Sequence, residues 1–117
     1  MKTQFDRNTI LNELYQYDLL KTKEDFSENT LNIINKIAEI DDLIKQSLFN
    51  FSFERLSYID RAIIRLATYE LKYSETPEAI IINEAVLLTK EFSDLDDEKQ
   101  HKFNNSLLDN IKNTVRG

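Results

Sequence analysis

Apolar residues recur at helical spacing along most of the chain, and the pattern is densest between Ser57 and Leu71. There they form one wide face, and apolar residues on other sides extend it around most of the helix. The members of that face are Ile59, Ala62, Ile63, Leu66 and Tyr69. Two cations, Arg61 and Arg65, lie one turn apart within this stretch. A helix that is apolar on several sides has to be covered on each of them. The pattern therefore predicts a buried central helix with the remaining segments packed around it.

The same periodicity predicts four further helices around the central one. They cover residues 8–20, 28–49 and 77–92, and a last one runs from the acidic segment 94–97 to about residue 114. A bend is expected near residues 41–42 of the long second helix. Phe51 and Phe53 lie in a short connector, where this aromatic pair is expected to plug the core. Thr76-Pro77-Glu78 is a typical helix start, because it supplies a capping hydroxyl, a proline at the first position and an acid in the first turn.

Turn-forming residues are almost absent from the chain. The only glycine is the terminal Gly117, and the only proline is Pro77. A β-rich fold needs tight turns, which usually contain glycine. The sequence is therefore predicted to be all-α. Its 117 residues suit a single helical domain, 1–117, that buries roughly two thirds of the surface of the unfolded chain.

The net charge of −6 and the absence of cysteine narrow the class of protein. The acidic balance disfavours a general nucleic-acid binder, but it allows a small local RNA patch and suits a basic protein partner. Disulfides and thiolate metal sites are excluded without cysteine. No apolar run approaches the ~20 residues of a membrane span, and the N-terminus has no apolar signal core. A cytoplasmic location is the default expectation.

No constellation of residues in the sequence indicates catalysis. His101 is the only histidine, so the two Glu-x-x-His pairs of a metal site in a helical bundle cannot both be present, and a Ser-His-Asp arrangement has no identifiable partners. The acidic cluster at residues 94–98 lacks the glycine and the spacing of a calcium loop. It suits the start of a helix, where negative charge is favourable. We therefore expect a protein that is not an enzyme and that uses no metal or cofactor.

The two arginines of the central helix are interpreted as structural. An unpaired arginine would be costly in so apolar a stretch. Arg61 and Arg65 are therefore expected to form ion pairs with carboxylates of neighbouring helices, such as Glu70 or Glu84.

The last predicted helix is the most cationic part of the chain. Lys99 and Lys102 precede Phe103, and the amide of Asn105 follows it. An aromatic ring beside cations and amides is the composition of a single-stranded RNA contact, with a base stacked on the ring. The periodicity equally allows Phe103 to be a core residue, because Leu107 follows it at spacing four.

Four segments together carry a resemblance to a known family. They are residues 11–19; Ile-Asp-Arg-Ala-Ile-Ile-Arg-Leu-Ala-Thr-Tyr-Glu-Leu at 59–71; Pro77 followed by 82–86 and 90–92; and Lys-Phe-Asn-Asn-Ser-Leu-Leu-Asp at 102–109. The second segment resembles the signature helix of the NusB family, which are bacterial transcription antitermination factors. The other three are similar to that family's first helix, its Asn-Glu-Ala helix and its Lys-Phe-Val-Asn-Gly-Val-Leu-Asp segment. Four motifs in the same order make the resemblance specific.

The resemblance implies both a fold and a function. The fold would be two small helical subdomains around the central helix. The function would be binding of the boxA element of ribosomal RNA leaders together with NusE, a small-subunit ribosomal protein. Through that complex the protein would act indirectly on the RNA polymerase elongation complex.

Site residues follow from the same resemblance and from the cationic last helix. Tyr15 and Asp60 match positions at the family's NusE interface. The candidates for RNA contact are Lys2, Arg7, Lys99, Lys102, Phe103 and Asn105.

Departures from the family pattern keep two alternatives open. Lys2 and Arg7 stand where the family has an arginine-rich stretch, Ser93 and Ser106 replace family glycines, and the loop before Lys102 is longer and acidic. One alternative is a protein-interaction module that binds NusE with little RNA binding of its own. The other is a homodimer that hides the RNA surface.

Overall fold

The computed structural model describes residues 5–22, 25–93 and 98–117. Within these ranges the chain is all-α, as predicted, with six α-helices and one 3₁₀ turn. The helices are α1 Arg7–Leu20, α2 Glu28–Asn35, α3 Ile37–Ser47, α4 Tyr58–Tyr73, α5 Glu78–Phe92 and α6 Lys99–Arg116, and the 3₁₀ turn is Phe53–Arg55. Residues 94–97, where an acidic loop was predicted, lie outside the described residues, as does Lys2.

The predicted central helix is confirmed as α4. Ten of its sixteen residues are buried, and it packs against α1, α3, α5 and α6. Ser57 begins it with a capping box: the Ser57 hydroxyl accepts a hydrogen bond from the Asp60 amide at 3.1 Å and donates one to the Asp60 carboxylate at 2.7 Å. Buried apolar side chains from every described helix meet around α4 in one core cluster.

The long second helix that was predicted is two helices, and the bend expected at residues 41–42 was wrong. The chain leaves helical geometry at Lys36, with φ −108° and ψ 12°, between α2 and α3. α2 packs on α1, whereas α3 packs on α4 and α6. Because the two segments follow different partners, the chain changes direction between them.

A carboxylate of α1 fixes where α2 begins. Glu13 accepts hydrogen bonds from the Ser27 amide at 3.1 Å, the Ser27 hydroxyl at 2.7 Å and the Thr30 hydroxyl at 2.6 Å. These donors lie in the first turn of α2 and immediately before it, where helical amides lack partners within the helix. The cap of α2 is therefore supplied by another helix.

The two phenylalanines of the predicted connector differ in burial. Phe53 is buried in the core, as expected, while Phe51 is half-buried. The chain before it is extended at Leu48 and left-handed at Asn50, with φ 56°. α3 therefore ends at Ser47, two residues before the predicted end of the helix, and Phe49 lies in an irregular segment after it.

Candidate functional site

Phe103 lies at the surface of α6, half-buried, with its ring against the core. Its ring centroid is 5.0 Å from that of Phe51, at an interplanar angle of 52°. The Arg55 guanidinium lies over the other ring of this pair, 4.9 Å from the centroid of Phe51. Phe103 therefore combines the two interpretations made from sequence, since the ring contacts the core and keeps an accessible part.

The rotation of α6 is fixed by the residue after Phe103. Asn104 is fully buried, and its amide donates to the Thr89 hydroxyl at 3.0 Å and to the Asp60 carboxylate at 3.2 Å. With 3.6 residues per turn, anchoring this side chain sets the direction of its neighbours. Because Asn104 points into the core, the side chains of Lys102, Phe103 and Asn105 project from α6 in different directions around it.

The structure brings only some of the RNA-contact candidates together. Lys99 and Lys102 are exposed on the same first turns of α6 as Phe103. Asn105 is also exposed, but it lines a groove of about 410 Å³ between α5 and α6, together with Asn83 and Lys112. Asn105 therefore faces a different surface from the one that Phe103 joins.

Arg7 is held by an internal carboxylate. Its guanidinium donates two hydrogen bonds to Glu70, at 2.6 and 3.0 Å, and the Arg7 side chain is 25% exposed. The hydrogen bond to Glu70 is the main reason that the pKa of Arg7 is raised. Glu70 lies ten residues, about 15 Å, along α4 from Asp60, to which Asn104 is bonded. Arg7 is thus not adjacent to Lys102, and its RNA contact stays a prediction, as does that of Lys2.

Arg61 and Arg65 of α4 form ion pairs with neighbouring helices, as predicted, but their partners are not the expected Glu70 and Glu84. Arg61 pairs with Asp18 at 2.9 Å. Arg65 donates two hydrogen bonds of 2.8 Å to Asp41. Burial lowers the pKa of Arg65, but the hydrogen bonds and charge of Asp41 outweigh this effect, so the net pKa is raised.

Tyr15 lines an apolar hollow at the start of α4. Its ring contacts Tyr58 edge-on, with centroids 6.4 Å apart. The hollow has a volume of about 370 Å³, and its apolar walls are Leu11, Tyr15, Ile59 and Phe92. Phe92 is 46% exposed. An apolar hollow with an exposed aromatic side chain in its wall is typical of a protein-interaction site.

Asp60, the other predicted partner contact, is buried, with 4% of its surface exposed. Its carboxylate accepts hydrogen bonds from Ser57 at 2.7 Å, Ser93 at 2.7 Å and Asn104 at 3.2 Å. Its burial leaves little of the carboxylate accessible to a partner. Asp60 instead connects the two surfaces, because Ser93 follows Phe92 of the hollow and Asn104 follows Phe103.

The described ranges contain neither a metal-binding cluster nor a membrane-spanning helix. In residues 5–22, 25–93 and 98–117, no group of three or more histidine or acidic side chains is placed to hold a metal ion. No helix in these ranges combines the length and apolarity needed to cross a membrane.

A half-buried aromatic ring beside lysines and an apolar hollow, linked through the buried carboxylate of Asp60, thus lie on one small all-helical protein. The sequence profile of the NusB family matches residues 2–113 of this chain. The chain belongs to the NusB family.

Individual relatives agree with this assignment. The chain is 37% identical over 134 aligned positions to the transcription antitermination protein NusB of Bacillus cereus (strain B4264), covering 98% of this chain and 100% of that protein. It is 51% identical over 73 residues to the protein of the same name from Staphylococcus haemolyticus (strain JCSC1435), covering 62% of this chain and 55% of that protein. The solved structure of T. maritima NusB superposes with a TM-score of 0.75 at 28% identity, covering 92% of this chain and 87% of that one.

Proposed function

We propose that this protein is a transcription antitermination factor that binds boxA-type RNA of ribosomal RNA leaders together with NusE. It would act on the RNA polymerase elongation complex through that assembly, in the cytoplasm. Family membership supports the role, and the observation that carries the RNA part is the accessible ring of Phe103 beside Lys102.

The surface around Phe103 suits an unpaired base. Single-stranded RNA is typically bound by aromatic side chains that stack on bases and by cations that contact phosphates. Phe103 is packed on Phe51 from within, so its ring is held in place before RNA arrives. Lys99 and Lys102 lie close enough along α6 to meet the adjoining phosphates.

The hollow at Tyr15 suits the protein partner. It is apolar and partly open, and Phe92 and Tyr58 at its margin keep 46% and 43% of their surfaces exposed. A net charge of −6 on this chain would attract a basic ribosomal protein. We propose that NusE fills this hollow and that Asp60 positions the surface from below.

RNA affinity of the protein alone is expected to be low. Two or three phosphate contacts give a log–log salt slope of about −1.4 to −2.1 for single strands, which is roughly a tenfold loss of affinity between 50 and 200 mM salt. Such binding depends on NusE to supply further contact surface.

The test is fluorescence anisotropy of a labelled boxA RNA and of a scrambled RNA, each with and without NusE. Phe103→Ala and Lys102→Ala should weaken boxA binding of the NusE complex by about tenfold or more. Lys36→Ala is the matched control, because this exposed lysine precedes α3 and contacts Tyr73 at the far end of α4. Equal affinity of the wild-type complex for boxA and scrambled RNA would refute the proposal.

One observation favours the alternative of a protein-interaction module without RNA binding. Arg7, a predicted RNA contact, already donates to Glu70, so the cations of this chain do not form one continuous surface through it. This alternative predicts tight capture of NusE and no change in boxA mobility when the protein is added to the NusE–RNA mixture. The third possibility, a homodimer that hides the RNA surface, is tested by sedimentation at several protein concentrations, which measures the mass of the protein in solution.

A further inference from the structure

Phe49 is the most exposed large apolar side chain in the described part of the chain, with 75% of its surface accessible. It is placed there by its backbone. α3 ends at Ser47, the chain is extended at Leu48, and the left-handed Asn50 turns it back towards the core. Phe51 and Phe53, the next two aromatic residues, turn inwards, but Phe49 contributes little to the core.

Phe49 lines a hollow that it shares with Phe103. One wall comes from the segment after α3, through Leu48 and Phe49, and the other from α6, through Phe103, Ser106 and Asn110. The volume is about 140 Å³. A hollow of this size has room for a flat ring rather than for a peptide helix.

The polar groups that line this hollow, and two lysines near it, favour a nucleotide. Ser106 and Asn110 offer a hydroxyl and an amide, which can both donate to and accept from the edge of a base. Lys102 lies one helical turn before Ser106. Lys45 is exposed in the last turn of α3, just before the segment that carries Phe49, and its ammonium lies 5.3 Å from the centroid of the Phe53 ring. The nearest acid of α6, Asp109, lines the separate groove between α5 and α6.

We infer that Phe49 and Phe103 form two walls of a slot that takes one unpaired base of single-stranded RNA. The base edge faces Ser106 and Asn110, and Lys45 and Lys102 meet the flanking phosphates. The inference rests on the proposed RNA-binding function and deepens it, because it adds a second aromatic wall and an edge-reading amide to the contact at Phe103.

The first experiment measures binding of boxA RNA to the full chain with NusE, by anisotropy. Phe49→Leu keeps apolar bulk and removes the ring, and it should weaken binding about tenfold, within the ~5- to 150-fold range expected for loss of a base–aromatic stack. Phe49→Tyr keeps the ring and should bind like wild type. Because Phe49 is so exposed, both variants should keep the wild-type melting temperature. Tyr73→Leu is the control and should leave RNA binding unchanged. Tyr73 is an exposed aromatic residue at the C-terminal end of α4, whereas Asn104, next to Phe103, is bonded to Asp60 at the N-terminal end.

The second experiment identifies the base. Single abasic positions are scanned through the RNA, and one position should weaken wild-type binding by about as much as Phe49→Leu does. At that position Phe49→Leu should add little further loss, because both changes remove the same stack. Asn110→Ala should reduce the preference for the natural base there.

The possible outcomes distinguish failure of the slot from failure of the proposed RNA-binding function. If the wild-type complex binds boxA RNA and Phe49→Leu binds equally well, the slot is refuted while the proposed function stands. If the abasic and Phe49→Leu losses add in full at every position, the slot is refuted in the same way. If the wild-type complex shows no RNA preference, both proposals fail together.

Discussion

Asp60 is a buried carboxylate that is bonded at both oxygens to three different segments of the chain. Ser57 belongs to the cap of α4, Ser93 follows α5, and Asn104 lies in α6. Truncating a buried hydrogen-bonded acid leaves each of these donors without its acceptor, and an unpaired buried donor costs far more than an average hydrogen bond contributes. Asp60 thus holds together the ends of three helices next to both proposed surfaces.

We expect Asp60→Ala to lower the free energy of unfolding by about 2–4 kcal/mol, measured by urea denaturation. Asp109→Ala, which removes an exposed acid from α6, should change it by less than about 0.5 kcal/mol. A variant at Asp60 as stable as the Asp109 control would show that the buried network contributes nothing to the fold.

Tyr73 provides a prediction about pH. Its hydroxyl is hydrogen-bonded to the Glu39 carboxylate, which raises the pKa of Tyr73 from the ordinary 10.0 to about 12. Because the folded pKa is above the unfolded one, the neutral hydroxyl stabilises the folded state fully below pH 10, and this contribution is lost as the pH rises through about 12.

Ultraviolet titration should therefore show a late step from Tyr73, near pH 12. Tyr73→Phe should abolish that step, and Glu39→Gln should move it back towards 10.0, because the charged acceptor is gone. A late step that persists in Tyr73→Phe would assign it to another tyrosine.

At the scale of helices and loops, the end of α6 fastens the connection between α4 and α5. The Arg116 guanidinium donates to the carbonyls of Leu71 at 2.8 Å, Thr76 at 2.8 Å and Ser74 at 2.9 Å. It also reaches the carbonyl of Glu70 at 3.3 Å. The last carbonyls of a helix lack partners within the helix, and a cation is favourable there. Arg116 therefore acts as a cap for α4 that is supplied by another helix.

Arg116→Ala should lower the free energy of unfolding by about 2 kcal/mol, and it should speed amide exchange at Ser74 and Thr76. Arg116→Lys is the informative control, since it keeps the charge but cannot reach several carbonyls at once. We expect Lys to restore only a small part of the stability. Full rescue by Lys would mean that charge alone, and not the fork of donors, holds the loop.

The elements that sequence predicted well are those with local signals. α4 shows its Ser57 cap and its nearly all-round apolar pattern in the sequence itself. The start of α5 was predicted to within one residue, but the cap was wrong, because Pro77 and not Thr76 is the N-cap and no side chain caps the helix. The break at Lys36 has no such signal, because periodicity continues through it. It arises since α2 is capped by Glu13 of α1 while α3 follows α4 and α6. The candidate site likewise has a part with a local signal and a part without one. Composition predicted Lys102 and Phe103, whereas Phe49 was predicted to be the last residue of a helix that in the structure ends at Ser47.

For the molecule as a whole, buried charges join α1, α3 and α4. Asp18 of α1 lies 2.9 Å from Arg61 and 3.6 Å from Arg65, and Arg65 is held in turn by Asp41 of α3. Arg61 also donates to the Leu56 carbonyl at 3.1 Å. Such a network contributes less through net attraction than through the cost of leaving one member buried and unpaired.

Asp18→Ala should accordingly destabilise the protein by about 3 kcal/mol, because the largely buried Arg61 loses its carboxylate partner and the buried Arg65 keeps only Asp41. Asp42→Ala is the matched control: this acid is exposed on α3, next to Asp41, and its loss should be nearly neutral. Chemical denaturation of both variants checks this. Equal stability of the two would mean that water or another acid replaces Asp18 at little cost.

The sequence by itself determined the helical class, the central helix, most helix ends and the family, because these depend on periodicity, capping residues and ordered motifs within short stretches. Only the tertiary structure decided which charges meet. Arg65 and Asp41 are 24 residues apart, Arg61 and Asp18 are 43 apart, and Arg7 and Glu70 are 63 apart. Local patterns specify which face of a helix is buried, but not which helix covers it. The burial of Asp60 and the placing of Phe49 and Phe103 on the walls of one hollow therefore follow from how the helices pack.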